Sequence, residues 1–322
     1  LHGGGITHYD SNQLEQAVSD HPSNSTFLLF PGDFTINAPL EIGDNVCFKG
    51  IAPTLWLQDR YAVIKTSGGF DAFKVVKASG QATSITFENL VIRGTKSGWG
   101  INVGDAESNP GGANITVKSC NINNFTRGIS LVRGWNSRII DSNMQSFTQY
   151  GISIEEAANN VSIVRCRFAH APVGIVFHDG YSSARVNITN CEFGVYKDER
   201  GIFINNHKLR AGLIENNYFE YYDAEESSNP FIQLYDVTWE ARVVIENNYF
   251  FGNNRISVGI LSTFSDLLRI ARNSFYNITT AIDINNSNCH NTVLDQNQFV
   301  SCTTNVSYAD AVNTIKPDYI AY

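Results

Sequence analysis

The chain has 322 residues and a formal charge of −8, with a pI near 5.4. That balance disfavours nucleic acid and anionic membrane as partners, since both select a basic footprint, and no apolar run approaches the roughly 20 residues of a membrane-spanning helix. Hydrophobic residues, at 43%, suffice for an elongated core, and with only 17% charged residues surface polarity falls to Asn, Ser, Thr and Gly.

The start, Leu-His-Gly-Gly-Gly, lacks the character of a signal peptide and reads as an excised domain or a processed end. Residues 10–19 predict a short helix. Asp10 can cap it, Gln13 completes a capping box, and Leu14, Ala17 and Val18 share one face. Strands are predicted at 26–30, 34–36, 40–42 and 46–49, with Pro31-Gly32 marking a turn.

From residue 85 onward a string of the form apolar-x-apolar-x-x-(Cys/Asn)-x-(Phe/Ile) recurs about every 24 residues. Its sixth position reads Leu90, Cys120, Ser142, Cys166, Cys191, Asn217, Asn248, Asn273, Asn297. Its eighth reads Ile92, Ile122, Met144, Phe168, Phe193, Phe219, Phe250, Phe275, Phe299. Most copies are followed by a Gly-Ile pair, as at Gly128-Ile129 and Gly201-Ile202. Alternation of period two means strand. A unit of this length holds about three short strands and stacks on its neighbours, like on like. The prediction is an all-β, right-handed parallel β-helix of about 10–12 coils, covering 26–311. The segment 1–25 precedes it with the helix, and a C-terminal tail, 312–322, carries no copy. The phenylalanine column becomes an internal stack. In the bend column, Asn can ladder amide hydrogen bonds and Cys acts as a small hydrophobe. The six cysteines show no zinc spacing and are expected reduced and buried.

Helix, then first coils, then this repeat resembles the pectin-lyase-like β-helix superfamily. There the helix covers the open end of the stack, which would otherwise expose unpaired edges. The resemblance implies a protein that binds or degrades polysaccharide. No motif ties the chain to the pectin enzymes, since the paired aspartates and a calcium-binding aspartate cluster are absent. The acidic, Asn/Gly/Ser-rich chain is most similar to bacteriophage tailspike depolymerases. That implies an endoglycosidase on the virion tail, outside the cell, acting on a bacterial capsule, O-antigen or exopolysaccharide. It also implies a homotrimer packed through aromatic segments such as 217–222 and 248–251. A secreted enzyme, a polysaccharide lyase and a non-catalytic carbohydrate-binding adhesin or structural module are the alternatives. No cofactor and no metal are expected.

The repeat also sets a coordinate frame for chemistry. In the Gly-Ile strand the isoleucine points inward, so the residues one and three further on point outward. Glu155, His178, Asn205 and Tyr235 then form one lateral row, with Glu156, Asp179, His207 and Asp236 in the adjoining turns. Glycoside hydrolysis needs two carboxylates, one to protonate the leaving oxygen and one to activate water or attack carbon. Glu155 and Asp179 are expected to form that catalytic pair, with Glu156 and Asp236 as substitutes and His178 tuning them. Tyr235, His207, Asn205 and Arg200 are expected to bind sugar. The same row also permits β-elimination, with His178 or Tyr235 as base and Arg200 neutralising a uronate. Trp99, Arg133 and Trp135 are expected to form outer subsites, because sugars stack their apolar faces on aromatic rings. The turn Asp198-Glu199-Arg200 is expected to project beside the groove.

Overall fold

The computed structural model describes residues 11–51, 61–76, 82–104, 111–178, 180–205, 207–235, 237, 242–263, 265, 267–284, 289, 291–308 and 320–321. They fall into two compact units, Leu1–Val161 and Ser162–Tyr322. Each unit is built of short strands that run in turn through three sheets, here called the first, second and third faces, and among the described residues the pairings between coils are parallel. One coil of the second unit shows the plan: Val186–Thr189 on the first face, Glu192–Val195 on the second, Arg200–Asn205 on the third. Parallel crossovers of this kind turn right-handed. The fold is the right-handed parallel β-helix that the repeat predicts.

Registers follow the repeat residue for residue. In the second unit Ile188 pairs with Ile214, Phe193 with Phe219, and Ile202 with Ile232. Phe168, Phe193, Phe219, Phe250, Phe275 and Phe299 stack with successive centroids 4.8, 4.6, 4.7, 4.7 and 5.5 Å apart. In-register strands bring identical rings to the stacking distance, and all six rings are removed from water.

The bend between the first two faces has a backbone cause. The fifth repeat position is Asn89, Ser119, Asp141, Arg165, Asn190, Asn216, Asn247, Arg272 and Gln296, and each has φ between 51° and 56°. One left-handed residue per coil reverses the pleat and turns the chain. Asn and Asp tolerate that conformation best, which accounts for their frequency here.

Next to that bend, the sixth-position asparagines form a closed hydrogen-bond ladder. Asn217 N, Asn248 N and Asn273 N donate to Oδ1 of Asn248, Asn273 and Asn297 at 2.9, 2.9 and 3.0 Å. Their side-chain amides donate inward to Ile188, Ile214 and Ile245 carbonyls, each at 2.9 Å. Cys166 and Cys191 continue the column, donating weakly to Val164 and Thr189 carbonyls. Their mutual hydrogen bond and burial push the Cys191 thiol far above its usual range. None of the six cysteines forms a disulfide, and Cys47 and Cys302 are only half-buried rather than buried.

In the first unit the helix is Ser11–Asp20, and Asp10 lies outside the described residues. Leu14 and Val18 are buried against Gly32–Ile36 and Leu40–Ile42. Glu15 ties the helix down by accepting from the Asn37 and Ala38 amides. In the tail, Ile320–Ala321 pairs in parallel with the second-face strand Gln298–Val300.

Candidate functional site

The third-face strands carry most of the expected site residues, and each unit holds its own set. In the first unit Asn102, Ser130 and Ser153 are in register on Trp99–Val103, Arg127–Val132 and Tyr150–Glu155. Alternation puts this row on the outer side, yet all three residues are buried. Most of their polar groups are bonded locally, although Asn102 Oδ1 has no hydrogen-bond partner among the described residues. The Asn102 amide donates to Asp71 Oδ2 at 2.8 Å, and Ser153 Oγ donates to Glu155 Oε1 at 2.6 Å. An outward position on this face is therefore not an open groove.

At the C-terminal end of that row, Glu155 is held by Ser153 and half-buried. Glu156 turns with φ 53° and forms an ion pair with Arg133. Trp135 is 44% exposed, and its indole N–H donates to the Ala157 carbonyl. Trp99 belongs to the opposite end of the strand. The Arg127 guanidinium lies 4.7 Å from the Trp99 ring centroid and 5.6 Å from that of Tyr150, and donates to Gln149 at 2.6 Å. Trp99 thus already stacks on a cation, whereas Trp135 keeps ring surface in water.

In the second unit Asn205 is in register with Tyr235, and Tyr235 is 49% exposed. Val176, on the same face, is buried. Arg200 donates to Asn229 Oδ1 at 2.6 Å and stands 5.5 Å from the Phe203 centroid. His178 offers its carbonyl to His207 Nδ1 at 2.8 Å. His207 is fully buried, edge-on to Phe177 at 5.4 Å, so it does not present its ring to a ligand as expected. Burial holds its imidazole well below the ordinary value, at about 4. The unfolded chain therefore takes up this proton first as pH falls. Stability from His207 is complete above about 6.5 and lost as pH drops towards about 4. Thermal unfolding of the His207→Gln variant is expected to show a flatter pH dependence than the parent over that window. Asp179 and Asp236 lie outside the described residues.

A stronger arrangement of carboxylates stands at the corner between the second and third faces of the second unit. The turn 196–199 joins Glu192–Val195 to Arg200–Asn205. One coil on, residues 222–231 join Tyr218–Tyr221 to Ile232–Tyr235. The Tyr196 amide donates to Glu199 Oε2 at 2.9 Å, and the next amide, Lys197, donates to Asp223 Oδ2 at 3.2 Å. Two carboxyl groups from different coils are thus held on consecutive amides of one turn. Their environments diverge. Burial lifts Glu199 to about 7; the Asp223 charge adds to the lift, and the Tyr196 amide opposes it. Asp223 is held below its usual range by the Glu225 and Lys197 amides. Lys197 pairs with Glu225, and Asn229 links Arg200 to the Asp198 carbonyl. Aromatic rings flank the pair. His170 stacks on Tyr196 at 4.1 Å, and Tyr196 stands 5.8 Å from Tyr222. Sequence reading identified the 198–200 turn but not its partner. The available signal was that Glu199 and Asp223 each fall between a Phe-column strand and the next third-face strand.

Among the described residues no three His, Cys, Asp or Glu side chains are grouped to hold a metal, and no helix is long and apolar enough to cross a membrane.

Residues 75–217 match the family model for the right-handed beta helix region. No curated protein matches the chain in sequence. Among solved structures it is similar to the tailspike protein of E. coli bacteriophage HK620, solved with a pentasaccharide, at 15% identity and TM-score 0.62 over 98% of this chain and 62% of that one. It is similar to the catalytic unit of a GH87 alpha-1,3-glucanase from Streptomyces thermodiastaticus, at 12% identity and TM-score 0.64 over 100% and 67%. It is also similar to the Azotobacter vinelandii mannuronan C-5 epimerase AlgE4 A-module, at 11% and 0.60 over 99% and 98%. The chain spans 59% of Geobacillus virus E2 ORF18, to which it is 14% identical with TM-score 0.55. At these identities the likeness is one of fold.

Proposed function

We propose that this chain binds and cleaves a polysaccharide, as an endo-acting glycoside hydrolase of tailspike type on a bacterial surface glycan. The observation that carries the proposal is the placement of Glu199 and Asp223 on consecutive amides of one turn, beside the Tyr196 and Tyr222 rings. Two carboxyl groups whose surroundings push their proton affinities apart are the acid and base of glycoside cleavage. In this reading Glu199 protonates the leaving glycosidic oxygen. Asp223, ionised and facing water, takes the proton of the attacking water. The flanking rings stack on the sugar's apolar face. Asn205 and Tyr235 remain proposed contacts on the third face of the second unit, and Trp135 and the Glu155–Glu156 carboxylates form a separate proposed set in the first unit.

A tailspike would place the chain on a virion tail, as a homotrimer. The fold likeness to a phage tailspike solved with a pentasaccharide supports that reading. Incubation with host capsule or O-antigen is expected to release fragments with new reducing ends and no ultraviolet-absorbing double bond. Unsaturated products would show elimination instead and remove the hydrolytic reading. Release that is unchanged in both Glu199→Gln and Asp223→Asn would remove this pair from the chemistry.

A further inference from the structure

The outer side of the second face in the second unit carries three tyrosines, Tyr218, Tyr249 and Tyr276, that the cleavage reading does not use. Tyr218 pairs in register with Tyr249 on Tyr249–Phe251, and Tyr276 ends the next strand, Ser274–Tyr276. Their centroids step by 5.4 and 4.8 Å, and all three rings are half-exposed. Burial, and the Glu220 carboxylate close by, hold the Tyr218 and Tyr222 phenols above their usual range. Tyr222 is 43% exposed, and its ring edge would come within 3.0 Å of a Cβ at position 194. Glycine at 194 therefore lets that ring lie down on the sheet with one side outward. Continuous with this row, the Tyr222 ring approaches Tyr196 and the acid corner.

We propose that the row from Tyr276 through Tyr249 and Tyr218 to Tyr222 is a glycan-binding strip, selective for chains of uncharged or amino sugars over polyuronates. This rests on the reading that the chain acts on polysaccharide, but not on where cleavage occurs. Tyrosine rings offer flat apolar area with a polar rim, the chemistry that fits a sugar's C–H face and its hydroxyls together. The charge on the strip sets the class of sugar. Glu220 sits between two phenols, and the adjacent Glu192 is paired with Arg167 at 3.1 Å, so the strip offers acceptors to hydroxyl or ammonium donors. A polyuronate would meet a like charge there. A second copy of this chain fits less well, because covering Glu220 in a dry contact with no cation opposite would bury an uncompensated charge.

The test is affinity electrophoresis of the full chain at pH 7 in gels cast with dextran, chito-oligosaccharide, chitosan or polygalacturonate. At least one of the first three is expected to retard the protein and polygalacturonate is not. The double variant Tyr249→Ala, Tyr276→Ala is expected to weaken retardation by about tenfold. Tyr249→Phe, which keeps the ring, should retain most of it. Because both alanines replace outward rings, an unchanged unfolding midpoint is expected. Four results would overturn the strip. They are no retardation by any gel, retardation by polygalacturonate alone, retardation indifferent to the double variant, and light scattering in which that variant dissociates an oligomer. If instead the strip behaves as expected while Glu199→Gln still cleaves, the assignment of the cleavage site fails and the strip stands.

Discussion

Replacing Asn248 by alanine is expected to destabilise the second unit by about 3–5 kcal/mol, although the side chain touches no surface and no ligand. Its Oδ1 accepts from the Asn217 amide at 2.9 Å and from the Asn217 side chain at 3.0 Å. Its Nδ2 donates to the Ile214 carbonyl at 2.9 Å and to Asn273 Oδ1 at 3.0 Å. Alanine removes all four bonds and leaves the Asn217 N–H and Ile214 C=O without partners in a dry interior. Each such group costs about 1–3 kcal/mol, and the vacated volume adds to it. Asn248→Asp keeps the shape but loses the donor and buries a charge, so it should cost at least as much. Urea unfolding together with hydrogen exchange at the Asn217 amide reads the effect, because coil stacks lose stability locally. A loss below about 1 kcal/mol would mean that water or backbone shifts replace the ladder.

The asparagine ladder was legible in the sequence for a physical reason. Parallel in-register stacking repeats one environment coil after coil, so the same solution recurs at Asn217, Asn248, Asn273 and Asn297. The phenylalanine column is legible on the same ground. The left-handed fifth position is legible only in part. Asparagine marks it at 89, 190, 216 and 247, but Arg165, Arg272 and Gln296 adopt the same φ, because the coil on either side imposes it. Alternation also has a limit. It assigns Ser153 and Asn102 to the outer side of the third face, but it does not say what covers that side, and both are buried. His207 shows the same limit, since a residue just beyond a strand can turn back into the interior. The acid corner is harder still to read. What raises Glu199 is burial at a turn and a charge at Asp223 one coil on, and neither is local in sequence.

That corner supplies the second large effect. Glu199→Gln is expected to lower glycan cleavage by about 10²–10⁴-fold, the usual contribution of a positioned general acid. The pH profile carries the sharper test. A general acid works while protonated, so activity should fall as pH rises through about 7, where Glu199 titrates. Asp223, held low by its two amides, should keep the acidic limb at lower pH than a free carboxylate gives. A glycoside with an activated leaving group needs little protonation, so Glu199→Gln should lose far less against it and should lose the limb near 7. A residue acting only as a structural prop would lower both substrates alike. Unfolding is separable through linkage. The folded state holds the Glu199 proton more tightly than the unfolded chain, so the parent loses stability as pH rises from about 4.5 through about 7. Glutamine has no proton to lose there. Above pH 7 the variant should therefore be at least as stable as the parent, and a loss of cleavage in that range reports chemistry rather than folding. An undiminished basic limb in the variant would assign the titration near 7 to another group and leave Glu199 without a catalytic role.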